Sequence, residues 1–192
     1  MQILYPYLFN RYKFFDFSEF NVKLETNASA LVRLVIAFAS ANIKHPIVAL
    51  FDNDTAGIME LERLQAENLP PNIKVMKLPD IKFAKSYPTI GPNGIRKMNV
   101  NGLACGIEMY LGEDCVKNGS TFIPVQWKGY NDKQRKYQGE IVDKAKVQEA
   151  FRLKLLARNL NPILEMDQLL QSIKEYSICD RQYRAAARFL NF

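Results

Sequence analysis

A chain of 192 residues, 48% hydrophobic and 24% charged, is long enough for one sizeable core with room for a helical appendage. Its three cysteines, Cys105, Cys115 and Cys179, form no CxxC pair, which argues against a disulfide framework or a zinc site and fits a reducing compartment. The single histidine, His45, precedes a proline at a strand entrance and leaves no Ser/His/Asp constellation to build. The net charge of +6 fits either a solvated surface or attraction to a polyanion such as nucleic acid. No basic segment followed by an apolar core opens the chain, and no apolar run reaches membrane-spanning length. A cytoplasmic protein without a membrane partner is expected.

In chain order, residues 2–12 are aromatic and apolar, broken by Pro6, and read as the tail of a helix running into a loop. "YKFFDF", residues 12–17, has strand composition. Asn27 is a cap for a helix over 27–43, with Leu31, Leu34, Val35 and Phe38 at helical spacing. "PIVALF" is a short apolar run opened by Pro46, as expected of a strand covered on both faces. Residues 55–67 place Ile58, Leu61 and Leu64 on one helical face, and "NIKVMKL", residues 72–78, alternates as a strand. Strand, helix, strand, helix, strand with short connections predicts a parallel α/β sheet.

Beyond Pro79 the pattern dissolves. "SYPTIGPNGIRKMNVNG", residues 86–102, is rich in Gly, Pro and Asn and reads as a long loop, a length that is uncommon without a function. A helical stripe returns at Leu103, Ile107 and Leu111. "TFIPVQWKGY" and "KYQGEI" read as strands flanking a polar turn over 131–136. Residues 144–158 are helical, with Val147, Phe151, Leu155 and Leu156 apolar. Pro162 suits the first turn of a helix running to about Tyr176, and a last helix is expected over 181–192. Leu164, Leu169, Leu170 and Ile173 make that C-terminal region amphipathic, able to pack on the sheet or on another subunit.

Asp52 and Asp54 stand one residue apart where "PIVALF" ends. In a parallel α/β sheet ligands bind beyond the carboxyl ends of the strands. Two carboxylates placed there repel each other and lose hydration unless a cation compensates. Mg²⁺ is the natural partner, because it takes oxygen ligands and usually arrives with water and phosphate. The plainer alternative is that Asp54 caps the following helix while Asp52 bonds within the turn. Ala56 and Gly57 let that helix begin close by.

"ALFDNDTAG" resembles the D-x-D strand end of Toprim domains, the fold shared by topoisomerases, primases and overcoming-lysogeny-defect nucleases. "LPPNIKVMKLPD", "SYPTIGPNG", "VNGLACGIEMYLG", "PVQWKGY" and "YQGEI" narrow the likeness to the bacterial HEPN/Toprim-associated proteins found among phage-defence genes. The resemblance spans roughly residues 14–155. It implies a Toprim-like parallel sheet flanked by helices over 1–158 and a C-terminal helical extension over 159–192. It further implies Mg²⁺ or Mn²⁺ held by Asp52, Asp54 and Glu108, with Lys144 as a basic residue near the scissile phosphate. Hydrolysis of nucleic-acid phosphodiesters follows, with DNA expected before RNA.

Two departures weaken that reading. On this resemblance residues 12–17 match the family's second strand, so the first strand and its glutamate are not expected within the chain. Asn99 stands where the family has an aspartate, and an amide is a weaker metal ligand. A missing central strand would leave neighbouring backbone groups unpaired, at about 1–3 kcal/mol each. A second subunit covering the edge, a rearranged N-terminal segment or a separate polypeptide supplying the strand is therefore expected to compensate, with the chain working as a homo-oligomer or with a partner subunit. The competing class is a degenerate Toprim scaffold that acts as an interaction or regulatory subunit. Trp127 and Tyr130 beside Lys128 either stack on bases or form the packed edge of a core. A small-molecule phosphotransfer enzyme has no support, because neither a Walker loop nor a G-x-G-x-x-G occurs.

Overall fold

The computed structural model describes residues 27–157 and 165–173. The elements expected over 2–17 and 181–192 lie outside the described residues.

Helix α1 spans Ala28–Ser40. Asn27 caps it as expected, its Oδ1 accepting from the Ala30 N–H at 2.8 Å. Strand β1, Ile47–Phe51, is followed by the two-residue β2, Asn53–Asp54, and by helix α2, Thr55–Gln65. Strand β3, Ile73–Lys77, then runs parallel to β1, in register from Ile47 opposite Ile73 to Phe51 opposite Lys77. The two helices bury Val32, Val35, Leu61 and Leu64 against Ala49, Phe51 and Ile73. This β-α-β unit was legible because an unbroken apolar run gives way to helical spacing and then to alternation.

The expected loop over 86–102 is instead largely a hairpin. Strand β4, Tyr87–Gly91, pairs antiparallel with β5, Gly94–Met98, across the tight turn Pro92–Asn93. Pro, Asn and Gly there are turn residues rather than loop filler, and Gly94 sits at φ +87°, which favours glycine. Every residue of β5 is exposed, so the strand shows no alternation of polar and apolar side chains. The helix expected over 103–111 is likewise replaced. Strand β6, Ala104–Cys105, runs into a single 3₁₀ turn, Ile107–Tyr110. Gly106, fully extended at φ −79° and ψ 177°, separates the two.

Strands β7, Lys117–Asn118, and β8, Thr121–Phe122, form a small hairpin. The expected pair β9, Val125–Asn131, and β10, Lys136–Ile141, is antiparallel, with a bulge between Gln138 and Gly139. The four-stranded sheet runs in the order β10-β9-β4-β5. The parallel sheet read from the sequence thus holds for β1–β3 and β4–β9, and the remaining strand pairs are antiparallel. Helix α3, Lys144–Leu156, follows at once, and residues 165–173 form a further helix.

A second core gathers Tyr87, Val100, Met109, Tyr110, Val125, Ile141 and Val147. Leu169 of the 165–173 helix is buried in it, with Met166 and Ile173 packed beside it. The architecture is mixed α/β. Among the described residues, no helix is long and apolar enough to cross a membrane.

Candidate functional site

The turn from β1 into α2 exists because of Gly57. A Cβ built there would stand 2.2 Å from the Asp52 carbonyl oxygen, so any other residue would push the turn open. Asp54 realises the capping role, its Oδ1 accepting from the Gly57 N–H at 2.6 Å. Asn53 points the other way and is wholly buried. Its side-chain amide donates to Asp80 at 2.9 Å, and its oxygen accepts from Lys77 Nζ at 3.0 Å. Lys77 also reaches Asp80 at 2.8 Å. Alternation along an extended segment therefore seals the amide inside and turns the flanking carboxylates outward.

The sequence between 100 and 106 is stitched to this turn. Asn53 pairs with Cys105 and Asp54 with Ala104, while the Gly102 N–H donates to the Asn53 carbonyl at 3.0 Å. The 3₁₀ turn that follows delivers Glu108, which is only 6% exposed. Gln148 of α3 donates to its Oε1 at 3.3 Å. A Cβ on Gly106 would lie 2.9 Å from Glu108 Oε2 and 3.9 Å from Asp52 Oδ2, so both carboxylates reach the same glycine-bared stretch of backbone.

Strand β10 closes the other side. Thr55 Oγ1 donates to the Tyr137 carbonyl at 2.8 Å, tying α2 to β10. After Ile141 the chain turns sharply into α3. Asp143 adopts φ 59°, a conformation Asp tolerates better than most residues, and caps Lys146. Lys144 thereby starts α3 at the rim. The result is a cavity of about 230 Å³ lined by Asp52, Asp54, Glu108, Lys128, Glu140 and Lys144, with Gly106, Gln138 and Gly139 among the rest of its wall. All four residues singled out from the sequence as catalytic (Asp52, Asp54, Glu108 and Lys144) meet here.

Electrostatics mark the acid pair. The Asp52 carboxyl is pushed up to about 6, chiefly by burial and then by the charges of Asp54 and Glu108, with Lys144 and the Ile107 N–H pulling the other way. Its outer face still meets solvent at the mouth of the cavity. Burial likewise raises Asp54, against the Gly57 N–H and Lys144. Glu140 is held below the usual carboxylate range, first by its hydrogen bond from Lys128 and also by Lys144. The acid donors are hard oxygens whose charges Lys144 opposes, and Gly106 leaves room for the Glu108 carboxylate beside Asp52, which suits a hard divalent cation. Among the described residues, no three Asp, Glu, His or Cys side chains stand tightly enough to grip one ion as they are placed.

Other readings shift. Asn99 is exposed and lies outside the cavity wall, its Oδ1 accepting from the Asn101 N–H and side chain at 3.1 Å. Asn99 therefore belongs to a loop and not to the cavity. Asn101 in turn grips the Ile81 N–H and carbonyl. Trp127 packs against the core, as the plainer reading held, whereas Tyr130 and Tyr137 stand 50% exposed with ring centroids 5.1 Å apart. The sequence reading missed Lys128, Glu140 and Gln138 as cavity residues. Their signal lay in the facing "WKGY" and "YQGE" strands, but the bulge that sets which side chains meet is invisible in composition. No protein-family model, curated protein or solved structure matches the chain.

Proposed function

We propose that this cavity hydrolyses nucleic-acid phosphodiesters with a divalent cation, as a Toprim nuclease-like component of a bacterial anti-phage system. The observation that supports it most is convergence. Asp52, Asp54, Glu108 and Lys144, drawn from three separate segments, line one cavity in which burial and neighbouring acids raise the Asp52 carboxyl despite Lys144. Asp52 and Asp54 would hold Mg²⁺ or Mn²⁺, with Glu108 as the third carboxylate. When bound, the ion supplies Lewis-acid neutralisation of charge on the phosphate. Lys144 adds a compact positive charge for the developing anion, and Gln148 holds Glu108 in its orientation. The half-exposed Tyr130 and Tyr137 offer stacking faces for bases near Lys128.

The test separates binding from capping. Because Asp54 caps α2, Asp54→Ala would also loosen the helix, whereas Asn keeps the cap. Calorimetric titration with Mn²⁺ should give metal-dependent heat in the wild type, weakened roughly tenfold or more in Asp52→Asn and in Asp54→Asn. A folded wild type that takes up no Mn²⁺ would remove the proposal. The second reading, a scaffold that has lost its chemistry, draws on the capping duty of Asp54 and on the engagement of Lys144 by Glu140. It is favoured if metal binds and neither single- nor double-stranded DNA is cut.

A further inference from the structure

Glu140 holds two lysines at once. Its Oε1 lies 3.0 Å from Lys128 Nζ and its Oε2 lies 3.4 Å from Lys144 Nζ. All three side chains line the cavity that also carries Asp52, Asp54 and Glu108. One ammonium group sits on each oxygen of a single anion, an arrangement that two non-bridging oxygens of a phosphate could take over. Strand and helix set it independently of the carboxylate. Lys128 comes from β9, opposite β10, and Lys144 opens α3, where the helix dipole adds to its attraction for anions. Lysine serves phosphate as a compact point charge, so losing one anionic partner for another requires no new geometry. The three side chains are 44–58% exposed, and ion pairs so exposed exchange readily with solutes.

We propose that Lys128 and Lys144 form a phosphate-binding subsite, and that Glu140 is its built-in occupant, displaced when a backbone phosphate enters. This rests on the nuclease reading for the identity of the phosphate but not for the existence of the subsite. With Glu140 in place, the wall presents four carboxylates against two ammonium groups, which discourages phosphate until positive charge is brought in. The subsite therefore favours filling of the acid side first and phosphate second.

The experiment is titration of the metal-free full chain with inorganic phosphate. Glu140→Gln removes the occupant and should tighten phosphate binding by about fivefold, the effect of one close charge contact in water. Lys144→Met or Lys128→Met in the Glu140→Gln background should abolish the gain. Glu149→Gln, which removes an equal charge from the Arg152 pair outside the cavity, should leave binding unchanged. No gain in a folded Glu140→Gln protein, or an equal gain in Glu149→Gln, overturns the proposal. Should Glu140→Gln fail to fold, Glu140→Ala takes its place: tighter phosphate binding supports the subsite, and unchanged binding refutes it. A wild type that ignores Mn²⁺ strikes the nuclease reading and leaves this measurement intact.

Discussion

Above pH 6 the Asp52 carboxyl is ionised although burial, Asp54 and Glu108 all resist it, so the folded chain carries a strained charge. Because the folded value is raised from 3.8 to about 6, the native state holds this proton more tightly than the unfolded state does. The contribution is fully present below pH 3.8 and is lost as the pH rises through about 6. Taken whole, such a shift is worth about 3 kcal/mol, and solvent at the cavity mouth reduces it to about 1 kcal/mol. Asp52→Asn should therefore raise stability at pH 7.5 by about 1 kcal/mol and leave it unchanged at pH 3.5, read by urea unfolding at the two values. An equal effect at both would mean the carboxyl is not strained. The outer acids of "DND" were legible in the sequence, because only a cation or a cap explains such a pair at a strand end. The central Asn53 was not, since its buried role depends on Lys77, at the adjacent carboxyl end of β3, and on Asp80 beyond it.

At the level of elements, β1 was legible as an unbroken apolar run, and α2 and β3 by their periodic faces. The hairpin β4–β5 was not, because an exposed edge strand has no face to bury and its turn residues imitate loop composition. The stripe at Leu103, Ile107 and Leu111 misled for a related reason: Ile107 is 41% exposed, and the residue that is buried beside it is the acid Glu108. The site depends most on two glycines. Gly57→Ala places a carbon against backbone, and the turn bearing Asp52 and Asp54 must shift, with a loss of about 1–3 kcal/mol. Reduced Mn²⁺ heat in a Gly57→Ala protein that still folds would show that the turn positions the acids. Gly139 is similarly confined, a Cβ there meeting Trp127 and Val125 at 2.8 Å, so the bulge that sets Glu140 on the cavity is locked by packing.

Across the whole molecule two apolar cores stand side by side, one under α1 and α2 and the other under α3 and the four-stranded sheet. The 165–173 helix belongs to the second, so Leu169→Ala should cost about 2–4 kcal/mol by emptying a core position. A single unfolding transition, shifted to lower urea, is the expected readout, and a change under 0.5 kcal/mol would mark that helix as an ornament. Asp52 and Asp54 directly follow β1, a strand of the first core, on a turn whose β2 pairs with β6, while Glu108, Glu140 and Lys144 grow from the second core's elements. The cavity is thus a seam, and whatever spans it works as a clasp. A ligand gripping both sides would suture the two bodies, and amide hydrogens in β1 and α3 should then exchange with deuterium more slowly and in concert.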